Sequence, residues 1–186
     1  MSTSFARLRR ARAVLAAGGV IAYPTEAVYG LGCNPDDAEA VRRLLALKRR
    51  DVRKGLILIA AQWAALRPYV VPLDAARMAT IAATWPGPYT WLLPAHPRTP
   101  RWLTGEHETL AVRVTAHPVA AALCDAWGGA LVSTSANQAG RPPARTALQV
   151  RRRLAAPPDL LLPGACGGAA RPTVIRDGRT GRAVRL

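Results

Sequence analysis

Hydrophobic and polar positions change their period several times along this chain, and the changes mark out alternating helices and strands. Phe5, Leu8, Ala11, Val14 and Leu15 recur at three- and four-residue spacing, which predicts an amphipathic helix over residues 4–17, closed by Gly18-Gly19. Residues 20–23 are continuously apolar, as in a short buried strand halted by Pro24. Residues 27–33 form a second extended piece, where Gly30 and Gly32 permit close backbone approach. Asp36 with Glu39 reads as a capping box with Asp in the usual Ser/Thr place. It opens a helix through Leu47 that turns Val41, Leu44 and Leu45 inward. Residues 55–60, Gly-Leu-Ile-Leu-Ile-Ala, have the uninterrupted apolar character of a strand covered on both faces.

The second half continues the alternation. Short helices are predicted over 63–69 and 73–84, then a hard turn at Trp85-Pro86-Gly87-Pro88, a strand over 89–93 and a Pro/Gly surface loop over 95–108. Residues 110–114 alternate like a strand but set Arg113 among valines. His117-Pro118 starts a helix over 119–127, Gly128-Gly129 stops it, and a buried strand over 130–132 runs into Ser133-Thr134-Ser135-Ala136-Asn137. A basic helix over 146–154 and two short strands at 160–162 and 173–175 complete the pattern. There is no repeat and no linker. The expectation is α/β: one domain over residues 1–186, a twisted mixed sheet flanked by helices.

Composition narrows the class. Half of the 186 residues are apolar but few are aromatic, so the core is built from Ala, Val, Leu and Ile. No apolar run approaches the roughly 18 residues of a membrane span. The arginine-rich start leads into a stretch broken by Gly18-Gly19, which argues against a signal peptide and for the cytoplasm. Cys33, Cys124 and Cys166 have neither disulfide nor metal-ligand spacing and read as buried thiols. The net charge of +15 attracts polyanions, nucleotides and RNA alike, without separating them.

The cations themselves are uneven. Of 26, only two are lysines, Lys48 and Lys54, and both fall within residues 47–56. An ammonium is a compact charge suited to a single phosphate or carboxylate oxygen, where Arg presents a flat fork. Three polar clusters stand at the ends of apolar elements, where open α/β sheets place ligands: Pro24-Thr25-Glu26, the stretch from Lys48 to Lys54, and Ser133 to Asn137. Ser133, Ser135 and Asn137 alternate, so an extended backbone turns all three to one side, and Lys48 and Arg50 share that spacing. Two cations facing hydroxyls and an amide would suit a triphosphate. The Ser/Asn run also reads as a turn with a helix N-cap. Neither lysine follows a glycine as in a Walker loop, and Gly30-Leu31-Gly32 lacks the third glycine of a dinucleotide fold. No Ser/His/Asp or Cys/His arrangement is present; His96, His107 and His117 read as surface or helix-start residues.

Together, Tyr23-Pro24-Thr25-Glu26-Ala27-Val28-Tyr29-Gly30-Leu31-Gly32, Lys48-x-Arg50 with Lys54-Gly55-Leu56, Ala111-Val112-Arg113-Val114 and Ser133-Thr134-Ser135-Ala136-Asn137 resemble the YrdC-like threonylcarbamoyl-AMP synthases, in order and in spacing. The resemblance runs from about Leu8 to the end and is to the short bacterial form, without the additional C-terminal domain of longer members. It implies a YrdC-like fold with a concave basic face. It also implies synthesis of threonylcarbamoyl-adenylate from L-threonine, bicarbonate or CO2, and ATP, for the N6-threonylcarbamoyl modification of adenosine 37 in tRNA. Lys48, Arg50, Ser135 and Asn137 match the family's catalytic tetrad on the ATP phosphates, with Arg141 beside them. Thr25, Lys54, Arg113 and Ser133 match positions at threonine and its carbamate. Magnesium is implied with ATP, and no protein-bound metal. The implied partners are a tRNA threonylcarbamoyl transferase complex and tRNA or other RNA, with no membrane. Two departures stand out: Asp51 replaces the usual Pro after Lys-x-Arg, and Gln138-Ala139-Gly140-Arg141 replaces the usual Leu-Ser-Gly. Two other readings remain beside this one, a non-catalytic RNA-binding or ribosome-maturation factor, and carbamoyl-adenylate chemistry on another acceptor.

Overall fold

The computed structural model describes residues 4–169 and 173–185. Among these residues nine strands form one mixed sheet. The first helix, α1 (Phe5–Ala16), ends where Gly18 takes φ +73°. Then β1 (Ile21–Pro24) and β2 (Tyr29–Gly32) pair antiparallel around the Thr25–Val28 turn. The capping residue of α2 (Ala38–Lys48) is Asp37, which accepts from the Glu39 and Ala40 amides. This corrects the expected Asp36/Glu39 box by one residue; the Asp36 amide is instead held by the Asn34 side chain.

The end of α2 differs more. The helix includes Lys48, and Arg49 turns left-handed at φ 49°, with Arg49 N and Arg50 N donating to Ala46 O and Leu45 O in a Schellman closure. Lys48 and Arg50 therefore do not alternate along a strand, and the expected two-cation wall does not form. A one-turn 3-10 helix (Val52–Lys54) leads into β3 (Ile57–Ala60). Asp51 caps that turn and pairs with Arg53, so this departure turns its charge away from the pocket and firms the turn.

Two 3-10 turns (Trp63–Ala65 and Arg67–Tyr69) stand where one short helix was expected, followed by α3 (Ala75–Ala82) and β4 (Tyr89–Pro94). The expected surface loop over 95–108 contains α4 (Arg101–Thr104), whose Leu103 is buried and whose carbonyl receives Leu56 N at 2.8 Å. After β5 (Thr109–Val114) and α5 (Pro118–Trp127), β6 (Leu131–Ser135) carries Ser133, Thr134 and Ser135 inside the sheet. Then follow α6 (Ala147–Arg153), β7 (Leu160–Leu161), β8 (Val174–Asp177) and β9 (Ala183–Arg185), the last unexpected from the sequence.

Alternation along the central strands separates two apolar clusters. Leu58, Ala60, Val112 and Val132 pack with Val41 and Leu44 of α2. Ile59, Leu131, Ile21 and Tyr23 pack with Leu15 of α1 and Val119 and Leu123 of α5. On that second face the helices stop short. Ile57, Arg113, Ser133 and Ser135, in step with the covered residues, form part of an open pocket instead.

The loop bearing the cations is fixed from below, because Glu106 N donates to Arg53 O at 3.1 Å across Gly105, which has φ +63°. A Cβ on Gly105 would run into the Arg53 carbonyl. Gly105→Ala is expected to cost about 2 kcal/mol or more, since backbone strain and collision act together. Urea unfolding of the two proteins, compared at equal m-value, measures it.

Candidate active site

The centre of the sheet, where β2, β6, β3 and β5 lie side by side, carries a pocket of about 320 Å³. Its lining includes Thr25, Gly30, Arg50, Arg113, Ser133, Thr134 and Ser135. A second hollow of about 410 Å³ shares Arg50, Leu56 and Ile57 with it and adds Lys54, His107, Leu92, Ala111 and Ile175. Cations border both hollows, Arg50 and Arg113 the first and Arg50 and Lys54 the second.

Each predicted residue reaches a definite place. Ser133 and Ser135, two apart in β6, both line the pocket, as the alternation predicted. Asn137 does not join them. It lies beyond the strand, 9% exposed, and its amide donates to Gln138 O at 2.9 Å and Arg141 O at 2.6 Å, closing a small loop. Arg141 is exposed and outside both hollows. Lys48, 3% exposed, sits behind the pocket and donates from Nζ to the carbonyls of Ser135 and Asn137. Its own carbonyl receives Ala139 N at 2.8 Å. Lys48 thus braces the end of β6.

Arg50 lines the pocket, and its NH2 donates to Gly55 O at 3.0 Å. Lys54 is exposed on the second hollow. Thr25 has its hydroxyl bound to Val28 O at 2.6 Å, within the β1–β2 turn. Arg113, 5% exposed, lines the pocket from β5; its NH1 donates to Thr173 Oγ1 at 3.0 Å and its NH2 lies 3.5 Å from Glu26 Oε2. The lining combines two guanidiniums, Arg50 and Arg113, with five hydroxyl-bearing residues, Thr25, Ser133, Thr134, Ser135 and Thr173, a set suited to an anion. Among the described residues no group of three His, Cys, Asp or Glu could hold a metal ion, and none of the helices is long and apolar enough to cross a membrane.

A family model described as telomere recombination, for Sua5, YciO and YrdC proteins, matches residues 13–185. The chain belongs to the Sua5/YciO/YrdC family. The threonylcarbamoyl-AMP synthase of Halorhodospira halophila is 62% identical to it over 179 residues, covering 96% of this chain and 94% of that protein. The synthase of Alkalilimnicola ehrlichii is 59% identical, covering 96% and 95%. Among solved structures, P. abyssi Sua5 complexed with L-threonine matches with a TM-score of 0.86 at 30% identity, covering 92% of this chain. This chain spans 50% of that one. E. coli YciO matches with a TM-score of 0.81 at 28% identity, covering 92% and 84%.

In this Sua5/YciO/YrdC protein, several lining residues escaped sequence reasoning. Thr173 and Pro143 come from the distant C-terminal part and carry no local signal. Gly30, read from the sequence as a place of close backbone approach, is one where a side chain would crowd Thr25 and Tyr23, its Cβ falling 3.3 Å from Thr25 Cγ2. Thr115, whose hydroxyl donates to Glu26 Oε1 at 2.7 Å, carries no local signal either.

Burial, with Arg50's charge second, pulls the Lys48 ammonium down to about 7. The neutral amine keeps two N–H groups, so both carbonyls stay bonded in either form. Against an unfolded value of about 10.4, the unfolded chain binds the extra proton between about pH 7 and 10, so this group's contribution to stability rises with pH there. Buried Cys33 and Cys124, pushed up to about 12 by desolvation, act in the opposite sense above about pH 8.5. The lysine is therefore read by difference. Stability of the native protein relative to Lys48→Met is expected to increase from pH 7 to pH 9.5 in denaturant titrations; a constant difference would contradict it.

Proposed function

We propose that this chain is a threonylcarbamoyl-AMP synthase. It joins L-threonine, bicarbonate or CO2, and ATP into threonylcarbamoyl-adenylate and pyrophosphate, for the N6-threonylcarbamoyl modification of adenosine 37 in tRNA. The observation that carries this reading is the 62% identity to a protein of that name along almost its whole length. The pocket supports it chemically. Threonine's amine captures CO2 with loss of a proton, and a carbamate oxygen attacks the α-phosphorus as the bond to the β-phosphate breaks. No protein nucleophile is required. Catalysis is orientation and neutralisation of charge, which Arg50, Arg113 and the hydroxyls of Ser133 and Ser135 can supply.

In this reading Arg50 and Ser135 meet the phosphates, and Arg113, Ser133 and the Thr25 turn meet threonine and its carbamate. Lys48 and Asn137 hold the phosphate-facing segment in shape, and Lys54 borders the second hollow. Arg141, at the exposed rim, reaches the nucleotide only if the loop over residues 138–141 folds inward. The pocket's donors are cations and hydroxyls, with the nearby carboxylate of Glu26 already engaged, so magnesium belongs to the nucleotide's phosphates. The setting is cytoplasmic, and the product passes to a threonylcarbamoyl transferase complex, with the net charge of +15 available to tRNA.

Pyrophosphate release from ATP and magnesium with bicarbonate is expected to depend on L-threonine, with L-serine as the control. Arg50→Ala should lower the rate about 100-fold or more, as expected for a group on developing phosphate charge. Arg151→Ala, on an exposed helix face, should stay within about twofold. Folded protein releasing no pyrophosphate under any of these conditions would overturn the reading and favour a binding factor, whose RNA affinity would fall steeply with salt.

A further inference from the structure

Glu26 belongs to a motif whose threonine has a role in the reading above, while the glutamate itself has none. It is 8% exposed and stands behind the pocket lining, against Arg113, which does line it. Its backbone is gripped on both sides: Thr25 N meets Val28 O at 3.0 Å, Gly167 N meets Thr25 O at 3.0 Å, and Ala169 N meets Glu26 O at 3.1 Å. Its Oε1 accepts from Thr115 Oγ1 at 2.7 Å and from Ala116 N at 3.1 Å. Only Oε2 remains, and it faces Arg113 NH2 at 3.5 Å. Burial works to raise the carboxyl's pKa, but the Arg113 charge, the Thr115 hydroxyl and the backbone amides outweigh it and hold the group ionised.

The pairing is looser than the 2.7–2.9 Å typical of a charge-assisted hydrogen bond. Neither Glu26 Oε2 nor Arg113 Nε has a hydrogen-bond partner among the described residues. The guanidinium is thus stabilised against burial by a fixed counter-charge while keeping donor capacity for another anion. Arg–carboxylate pairs are frequently bidentate, and this one is not, so its counter-ion does not saturate the arginine.

We propose that Glu26 is a positioning residue for Arg113. Anchored by Thr115 and the Ala116 amide, it sets the orientation from which Arg113 receives the carboxylate or carbamate of the amino-acid substrate. This rests on the assignment of Arg113 to threonine, so the test must separate the two. L-threonine binding is measured by titration calorimetry in the full chain, beside MgATP binding. Glu26→Gln keeps an acceptor for Thr115 but removes the charge. It should weaken L-threonine about tenfold or more and leave MgATP within about twofold, with KM for threonine rising more than kcat falls. In an Arg113→Ala background the same change should cost nothing further, the signature of one coupled unit.

Wild-type protein that binds no L-threonine would sink the substrate reading itself. Threonine binding in Glu26→Gln equal to wild type, or a loss fully additive with Arg113→Ala, would overturn the positioning role alone. Should Glu26→Gln fail to fold, Thr115→Val carries the test: it leaves both charges but removes one of the two donors that anchor Glu26 Oε1. Weaker threonine binding with unchanged MgATP binding is then expected, and unchanged threonine binding would overturn the proposal.

Discussion

A guanidinium and an ammonium taken almost wholly out of water set the terms for the centre of this molecule. Arg113 in β5 and Lys48 at the end of α2 are 5% and 3% exposed. Cations so placed are tolerable only where fixed groups replace their hydration. The fold supplies them in two ways. Lys48 is solvated by the carbonyls of Ser135 and Asn137, so its need for partners becomes a brace on the strand end that carries the serines. Arg113 is solvated by Thr173 and by the carboxylate of Glu26, which Thr115 and the Ala116 amide hold in turn. Satisfying two buried charges thereby orders much of the pocket wall.

The pocket exists because one sheet face is only partly covered. Where α1 and α5 pack, positions in step along the strands are Ile59, Leu131 and Tyr23. Beyond the reach of those helices the same alternation delivers Ile57, Arg113, Ser133 and Ser135 to an open hollow. Covered and uncovered halves of one face thus divide a hydrophobic core from a reactive surface, with no change in backbone pattern. A chemistry built on orientation and charge neutralisation suits such a rigid floor, because preorganised groups need not rearrange as charge develops.

Much of this was legible beforehand. Periodicity located α1, α2, β3, β5 and α5 to within a residue or two, because each buries a stripe or face that must be continuous in sequence. The alternation of Ser133 and Ser135 gave their common side. Arg113 drew notice as a charge set among valines in a strand. What failed were inferences that carried a local period across a boundary. Lys48 and Arg50 looked like neighbours on a strand, but a left-handed Arg49 separates a helical residue from a loop residue. Asn137 looked like a third step of the alternation, but the strand ends at Ser135 and the amide turns to Arg141 O.

The sequence by itself determined the element types, the apolar faces and the residue types available for binding an anion, since these depend on local spacing and composition. Tertiary structure alone decided which cations reach the pocket and which brace it from behind. It also decided that Thr173 closes on Arg113 across 60 residues, and Thr115 on Glu26 across 89. Those choices depend on strand order and on how far the helices cover one sheet face. Both are set by the packing of distant segments, and no local period records them.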